Sequence, residues 1–470
     1  MDELFVKCLL YADNQVILAL LACGLQEMTN KMNDSVKKKS MKVNVGKTKA
    51  YRPKMSEDRV DSYFETLPTE IVLEIFTYLS AKPLFRCRSV CRRWMCLIDT
   101  LTTNELLWRR HCKSDFGDIY KVARMKTVPG LPWFDLYKSM AWWSHLSKAA
   151  VIEDEFSSAA YPFQTNLSTI ALHNGVIGVH TRSKIVYYDI KTLERANRDA
   201  VIGTYMRYQE NYDTIVLLNG SLSLHIIRKL LYNPILESRA VFDNVKLFHL
   251  CDHKLFYVTI NDQLFYCDLT CDRLTSVFLT RCPEEVLCLS YLDCLHILTF
   301  KQNIFKLPDK VLSLVSSING DMLELLHRYQ FLEQLDWRIF HMWTFGLNPA
   351  SDVNTVVASL DVTVVRVYGK VVFVGTRWGI FQIYYEPYVN GVFDFFRSEP
   401  VKQWNFMERS DCPVLSHCPI INIEVLELEN GHTVLVTMPK KVVVLHLRHE
   451  PKGSVSKAII PYRTVPKETI

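Results

Sequence analysis

The apolar positions of this chain follow a helical period first and a strand period afterwards. Behind Leu67-Pro68, residues Ile71, Val72, Ile75, Phe76 and Leu79 recur at helical spacing, with Glu70 and Glu74 on the other face. The pattern predicts an amphipathic helix that the proline opens, since its missing N–H would be unpaired there anyway. A second run, Leu84, Cys87, Cys91, Trp94 and Ile98, keeps helical steps and leaves Arg86, Arg92 and Arg93 outside. Lys82-Pro83 precedes it, and a proline there suits only a first turn. Thr102-x-x-Glu105 reads as a capping box opening Leu106-Leu107-Trp108-Arg109, and Trp133, Leu136, Tyr137 and Met140 mark another apolar helix face.

From about Val151 the period falls to two, and short strands rich in Val, Ile, Phe and Tyr alternate with turns. Asn174-Gly175, Asn219-Gly220 and Asn430-Gly431 are hairpin signals, because both central positions of that turn need positive φ. Gly175 to Ile190, Lys254 to Leu269, Lys370 to Tyr385 and His432 to Leu447 share one strand–turn–strand pattern, with a weaker copy from Cys294. With Asn219 counted, several starts fall about 40 residues apart and the larger gaps are near doubles, a blade-like period. The expectation is an α+β multidomain chain whose all-β part is a β-propeller of six or seven blades, closed so that few strand edges stay unpaired. A pair of β-sandwiches is the structural rival. Asp321 to Trp337 looks helical, as an insertion or a degenerate blade. The expected boundaries are 1–50 and 51–64 ahead of a helical module at 65–100, helical linker 101–150, β-domain 151–450 and tail 451–470.

Composition adds little beyond exclusion. Hydrophobic residues at 49% and charged residues at 22% are globular values, which excludes wholesale disorder. The 14 cysteines contain no C-x-x-C pair, so a zinc ribbon is not expected and reduced, buried thiols are. The apolar run Val16 to Leu25 is too short to span a bilayer and lacks a positive flank, with Asp2, Glu3 and Asp13 before it or at its edge. Net charge is +5, concentrated between Lys82 and Lys148 on what reads as a solvated helix face, so neither nucleic acid nor membrane is an expected partner. Gly46-Lys47-Thr48 is no phosphate loop, because Met41 stands where its first glycine would be. His173, His180 and His225 lack the neighbours of a metal site or triad. No catalytic residue, metal ligand or cofactor is expected.

Two resemblances follow from particular residues. Leu10-Tyr11-Ala12-Asp13-Asn14-Gln15-Val16-Ile17-Leu18, with Met41 to Lys49, resembles the palm segment of non-LTR retroelement reverse transcriptases. That family's Tyr-Ala-Asp-Asp core carries two metal-binding aspartates. Here the second is Asn14 and the upstream aspartate has no counterpart, so Asp13 and Asn14 are expected to be vestigial and residues 1–50 an inactive remnant. Eight basic residues and no acid between Lys37 and Lys54 suit a flexible linker.

Leu67-Pro68-Thr69-Glu70-Ile71, Ile75-Phe76-Thr77-Tyr78-Leu79-Ser80 and Val90-Cys91-Arg92-Arg93-Trp94 resemble the F-box pattern nearly position for position. The resemblance implies docking on a Skp-family adaptor and through it a cullin. Leu67, Pro68, Ile71, Ile75, Phe76, Leu79, Leu84, Val90, Cys91 and Trp94 would then be the adaptor-facing residues. It implies a non-catalytic substrate adaptor of an SCF-type ubiquitin ligase, cytoplasmic or nuclear, whose β-domain holds a protein substrate. A scaffold with a non-degradative role and an inactive reverse-transcriptase-derived fusion are the alternatives. The eighth position of each sixteen-residue copy falls on one set of turns, at Arg182, Asn261, Lys301, Arg377 and Pro439. Arg182, Lys301 and Arg377 are therefore candidate contacts for an acidic or phosphorylated substrate motif.

Overall fold

The computed structural model describes residues 8–12, 15–19, 67–117, 119–156, 167–173, 175–181, 183–190, 192, 194–211, 213–229, 239–308, 310–318, 322–347, 353–408, 419–439 and 441–449. They divide into two units, Met1–His111 and Cys112–Ile470.

In the first unit Cys8–Ala12 pairs antiparallel with Gln15–Ala19, in a register that ends at Ala12 opposite Gln15. Asp13 and Asn14 lie outside the described residues. Pro68 precedes helix α1 (Thr69–Tyr78), and its carbonyl accepts the amides of Ile71 and Val72 at 3.1 and 3.2 Å. The second apolar run is divided into α2 (Ala81–Cys87) and α3 (Arg92–Leu101), with Pro83 inside the first turn of α2. Cys91 breaks the run: its backbone is extended at φ −153°, ψ 165°, and its sulfur accepts the Trp94 amide at 3.5 Å as the cap of α3. Periodicity alone cannot reveal such a break, because helical spacing survives a short turn.

The expected capping box does not form. Thr102 donates its hydroxyl to the Asp99 carbonyl at 2.7 Å, while Asn104 Oδ1 accepts the Leu107 amide at 3.0 Å and opens α4 (Glu105–Phe116). Asparagine at that position is an equally good cap. Val72, Phe76, Ala81, Leu84, Ile98, Leu101, Leu107 and Trp108 form the unit's interior. Trp94 packs edge-on against Phe76 with ring centres 5.2 Å apart.

The second unit opens with α5 (Ile119–Met125), α6 (Trp133–Trp142) and a 3₁₀ turn at Trp143–Lys148. Six four-stranded antiparallel sheets follow among the described residues. Blade 1 comprises Leu167–His173, Val176–Thr181, Lys184–Asp189 and Val201–Ile202; blade 2 comprises Tyr205–Glu210, Thr214–Asn219, Leu224–Arg228 and Arg239–Phe242. Blade 3 comprises Val245–Cys251, Lys254–Thr259, Gln263–Asp268 and Ser276–Arg281; blade 4 comprises Val286–Tyr291, Leu295–Thr299, Asn303–Leu307 and Ser313–Ser317. Blade 5 comprises Val362–Tyr368, Val371–Thr376, Ile380–Tyr385 and Lys402–Asn405. Blade 6 comprises Asn422–Leu428, Gly431–Thr437 and Val442–Arg448, completed by Ala150–Phe156 from the start of the domain.

The first strands of blades 1 and 2, 3 and 4, 5 and 6, and 6 and 1 touch, so these strands surround a common axis and the sheets form a ring. The sandwich alternative is thereby overturned, and the described residues form six blades. Each sixteen-residue copy is the central strand pair of one blade. The blade's second strand is buried on both faces, as in Val371–Thr376 and Gly431–Thr437, because each sheet packs against a neighbour on either side, while the third is partly exposed, as in Gln263–Asp268. The pairing of Ala150–Phe156 with Val442–Arg448, Ala150 opposite Arg448, ties the two ends of the ring together. At the Asn430-Gly431 turn, Gly431 adopts φ +149°, and a Cβ there would collide with the Leu447 carbonyl.

The segment expected to be helical is an insertion, longer than its sequence signal. It holds α7 (Met322–Arg328), α8 (Trp337–Leu347) and α9 (Val353–Asp361). Leu326, Phe331, Trp337 and Phe340 pack there with Leu298 and Ile304 of blade 4 and Val365 and Val374 of blade 5, so the insertion fills the joint between those blades. No helix among the described residues is long and apolar enough to cross a membrane.

Candidate functional site

The helices of the first unit are too few to cover one another. Ile71 is 44% exposed, Val90 56% and Leu106 78%, and Tyr78, Phe85 and Met95 are also exposed. Of the sequence-derived contacts, Pro68, Ile71, Val90 and Cys91 are exposed and Leu67, Ile75, Leu79 and Trp94 half-buried. Phe76 and Leu84 need correction: at 2% and 0% exposure they hold α1, α2 and α3 together and offer no surface to a partner. An apolar stripe on a short helix is wider than its core contact, and spacing alone cannot separate the two sides. Tyr78, Phe85, Met95 and Leu106 are exposed as well, which spacing does not reveal because an exposed apolar residue and a core one look alike in sequence. The patch is held by Arg93, whose guanidinium donates to the Leu67 carbonyl at 2.6 Å, and by Arg88, which pairs with Asp99 at 2.7 Å.

The turn ring behaves differently at each position. Arg182 lies outside the described residues. Lys301 is exposed on the turn between the central strands of blade 4. Arg377, on the same turn of blade 5, donates from Nη2 to the Leu360 carbonyl at 2.9 Å, and its amide donates to the Asp361 carbonyl at 2.7 Å. It closes the C-terminal end of α9, where unpaired carbonyls favour a cation. The sequence signal had no way to place a helix end there.

The axis of the ring holds a polar cluster that sequence reasoning missed. Gln334, in the turn between α7 and α8, donates to the Leu289 carbonyl at 2.7 Å, contacts His249 Nδ1 at 3.2 Å and accepts from Arg207 at 3.2 Å. Glu333 beside it accepts from Arg366 at 2.5 Å and from the Val367 amide at 3.2 Å. One turn thus reaches the first strands of blades 2, 3, 4 and 5. Lys126 pairs with Glu424 of blade 6 at 2.5 Å. Burial, then the nearby Arg207 charge, pushes the His249 imidazole down to about 4, and Gln334 can donate to the neutral ring. These residues lie on seven separate sequence segments with no shared motif.

Ser139, His432 and Glu427 bring together the residue types of a hydrolase triad without its geometry. His432 Nδ1 lies 2.9 Å from Glu427 Oε2 and 3.3 Å from Ser139 Oγ, so acid and hydroxyl meet the same nitrogen. The nitrogen that donates to the carboxylate cannot take the serine proton. Ser139 donates to Glu427 instead, and Trp143 Nε1 donates to Glu427 Oε1 at 2.8 Å while its ring stacks on His432. Burial opposes the charge on Glu427, but His432 and these hydrogen bonds hold its carboxyl below the ordinary range. The cluster fastens α6 and the 3₁₀ turn to blade 6. Of the earlier histidines, His180 is buried and shifted down by burial, and His225 sits 3.2 Å from Asn219 Nδ2.

Residues 64–114 match the F-box-like family. A 59-residue stretch is 36% identical to human (Homo sapiens) F-box only protein 48, covering 13% of this chain and 36% of that protein, so the chain spans about a third of that relative's length. Among solved structures, the N-terminal domain of Nup159 is similar over 60% of this chain and 76% of its own, at 11% identity and a TM-score of 0.34. The β-propeller domain of Myceliophteria thermophila Cps50 (Swd1) is similar over 61% and 82%, at 11% identity and a TM-score of 0.32. The propeller fold of this chain stands on its own strand pairing rather than on these likenesses.

Proposed function

We propose that this chain is a non-catalytic substrate adaptor of an SCF-type cullin–RING ubiquitin ligase. The F-box-like helices bind a Skp-family adaptor and through it the cullin, and the six-bladed domain recruits a protein for ubiquitination in the cytoplasm or nucleus. The observation that carries this reading is the exposed apolar surface of α1 to α4 within the stretch that matches the F-box-like family. Ile71, Val90 and Leu106, all exposed on one short helical module, are apolar surface of the kind that a protein partner covers. Arg182 and Lys301, with Arg377 through whatever donors α9 leaves it, are the candidate substrate contacts. Residues 1–50 are a retroelement-derived remnant outside this role, which the Asn14 replacement supports.

The test is co-purification of the full chain with adaptor and cullin, comparing wild type with Ile71→Asp and Val90→Asp. Both positions are exposed, so folding should survive. Replacing an interface anchor by a carboxylate removes more than about 2 kcal/mol, or about thirtyfold in affinity. Retention of both partners at wild-type levels by both variants rejects the proposal.

A further inference from the structure

The hairpin of the first two strands of blade 4 carries a cluster that the adaptor role does not use. Asp293, Cys294 and His296 each offer one ligand atom, and all three atoms lie within 4.8 Å of one another. We propose that these residues form a binding site for a divalent transition-metal ion of the zinc class, with water completing the coordination.

The geometry is specific. His296 Nδ1 lies 3.1 Å from the Cys294 carbonyl oxygen. A carbonyl only accepts, so the proton is on Nδ1, and Nε2 presents its lone pair. That lone pair faces Cys294 Sγ at 4.0 Å. Zinc sits about 2.3 Å from a thiolate and about 2.0–2.1 Å from an imidazole nitrogen, so two such ligands can stand at most about 4.4 Å apart. The observed pair falls inside that limit. A ligating histidine whose other N–H is fixed on a backbone carbonyl is the arrangement that orients metal-bound imidazoles. Here the fixing carbonyl belongs to the second ligand, so one hairpin sets both.

Asp293 supplies the hard donor. Its Oδ1 accepts the Cys294 amide at 2.9 Å, which holds the carboxylate over the turn. The Leu292 amide donates to the Cys294 carbonyl at 3.2 Å and tightens the loop. Asp293 is exposed, Cys294 half-buried and His296 buried, so an ion has an approach from solvent and a wall behind it. Mixed nitrogen, sulfur and oxygen donors favour zinc, or cobalt in its place, over calcium or magnesium, which take oxygen ligands.

The experiment titrates the purified full chain with cobalt(II), reading the thiolate-to-cobalt absorption band, and then displaces cobalt with zinc. One saturable equivalent is expected for the wild type. Cys294→Ser should abolish the band, and Asp293→Asn and His296→Gln should each weaken cobalt binding about tenfold or more. Circular dichroism melts accompany each variant. Cys294→Ser and Asp293→Asn change a turn and should leave them unchanged, which keeps the test decisive if His296→Gln is less stable. A wild type without a saturable band, or a Cys294→Ser protein with an undiminished one, overturns the site.

Discussion

Glu427→Ala should cost the β-domain about 4 kcal/mol. The substitution removes both carboxylate oxygens from a fully buried position and strands Trp143 Nε1, Ser139 Oγ and His432 Nδ1, which now donate to them. Each donor left unpaired in the interior costs about 1–3 kcal/mol before relaxation. Ser139 has a second contact, the Gly431 carbonyl at 3.1 Å, so part of its loss is recovered. Since domains are stable by only about 5–15 kcal/mol, the change should be plain in urea denaturation followed by circular dichroism and tryptophan emission. Ser139→Ala alone should cost about 1 kcal/mol. Combined with Glu427→Ala it should cost less than the two apart, because the stranded hydroxyl is gone, leaving a coupling above about 1 kcal/mol. A Glu427→Ala loss under about 1 kcal/mol, or strict additivity, would refute the claim that this cluster fastens α6 to blade 6.

Acid should weaken the fold through His249. Its folded value of about 4 lies below the ordinary 6.5, so the unfolded chain binds the extra proton first and stability falls as pH drops from about 6.5 towards 4, by up to about 3 kcal/mol. His249→Asn should flatten that slope, measured as urea midpoints at pH 7 and pH 5; an unchanged slope rejects the assignment. Reversing Arg182, Lys301 and Arg377 together to glutamate should abolish recruitment of an acidic substrate while sparing adaptor binding, and α9 should loosen because Arg377 closes its end. Substrate recruitment equal to wild type moves the search to another face. Deleting residues 1–54 should leave adaptor binding and the melting temperature as they are, and the full chain should synthesise no DNA with magnesium or manganese; template-directed synthesis would contradict the remnant reading.

The sequence by itself determined the local elements and their repetition. Leu67 to Leu79 reads as a helix because its apolar residues return every three or four positions, and α1 covers nearly that span. The sixteen-residue copies are legible because each encodes a fully buried strand, a turn and a partly exposed strand, a signal carried by adjacent residues. The apolar stripe of the first helices was half legible for the same reason. Spacing finds an apolar face but cannot divide it, and only packing decided that Phe76 and Leu84 belong to the interior while Ile71 and Val90 face solvent. What depended on distance along the chain was not readable at all. Ala150–Phe156 joins blade 6 across nearly 300 residues, Gln334 meets Arg207 and His249 at the axis, and Glu427 meets Ser139 and Trp143. Such contacts exist only once the ring closes, because a closed ring brings first strands from separate repeats to one axis and the chain's two ends to one sheet.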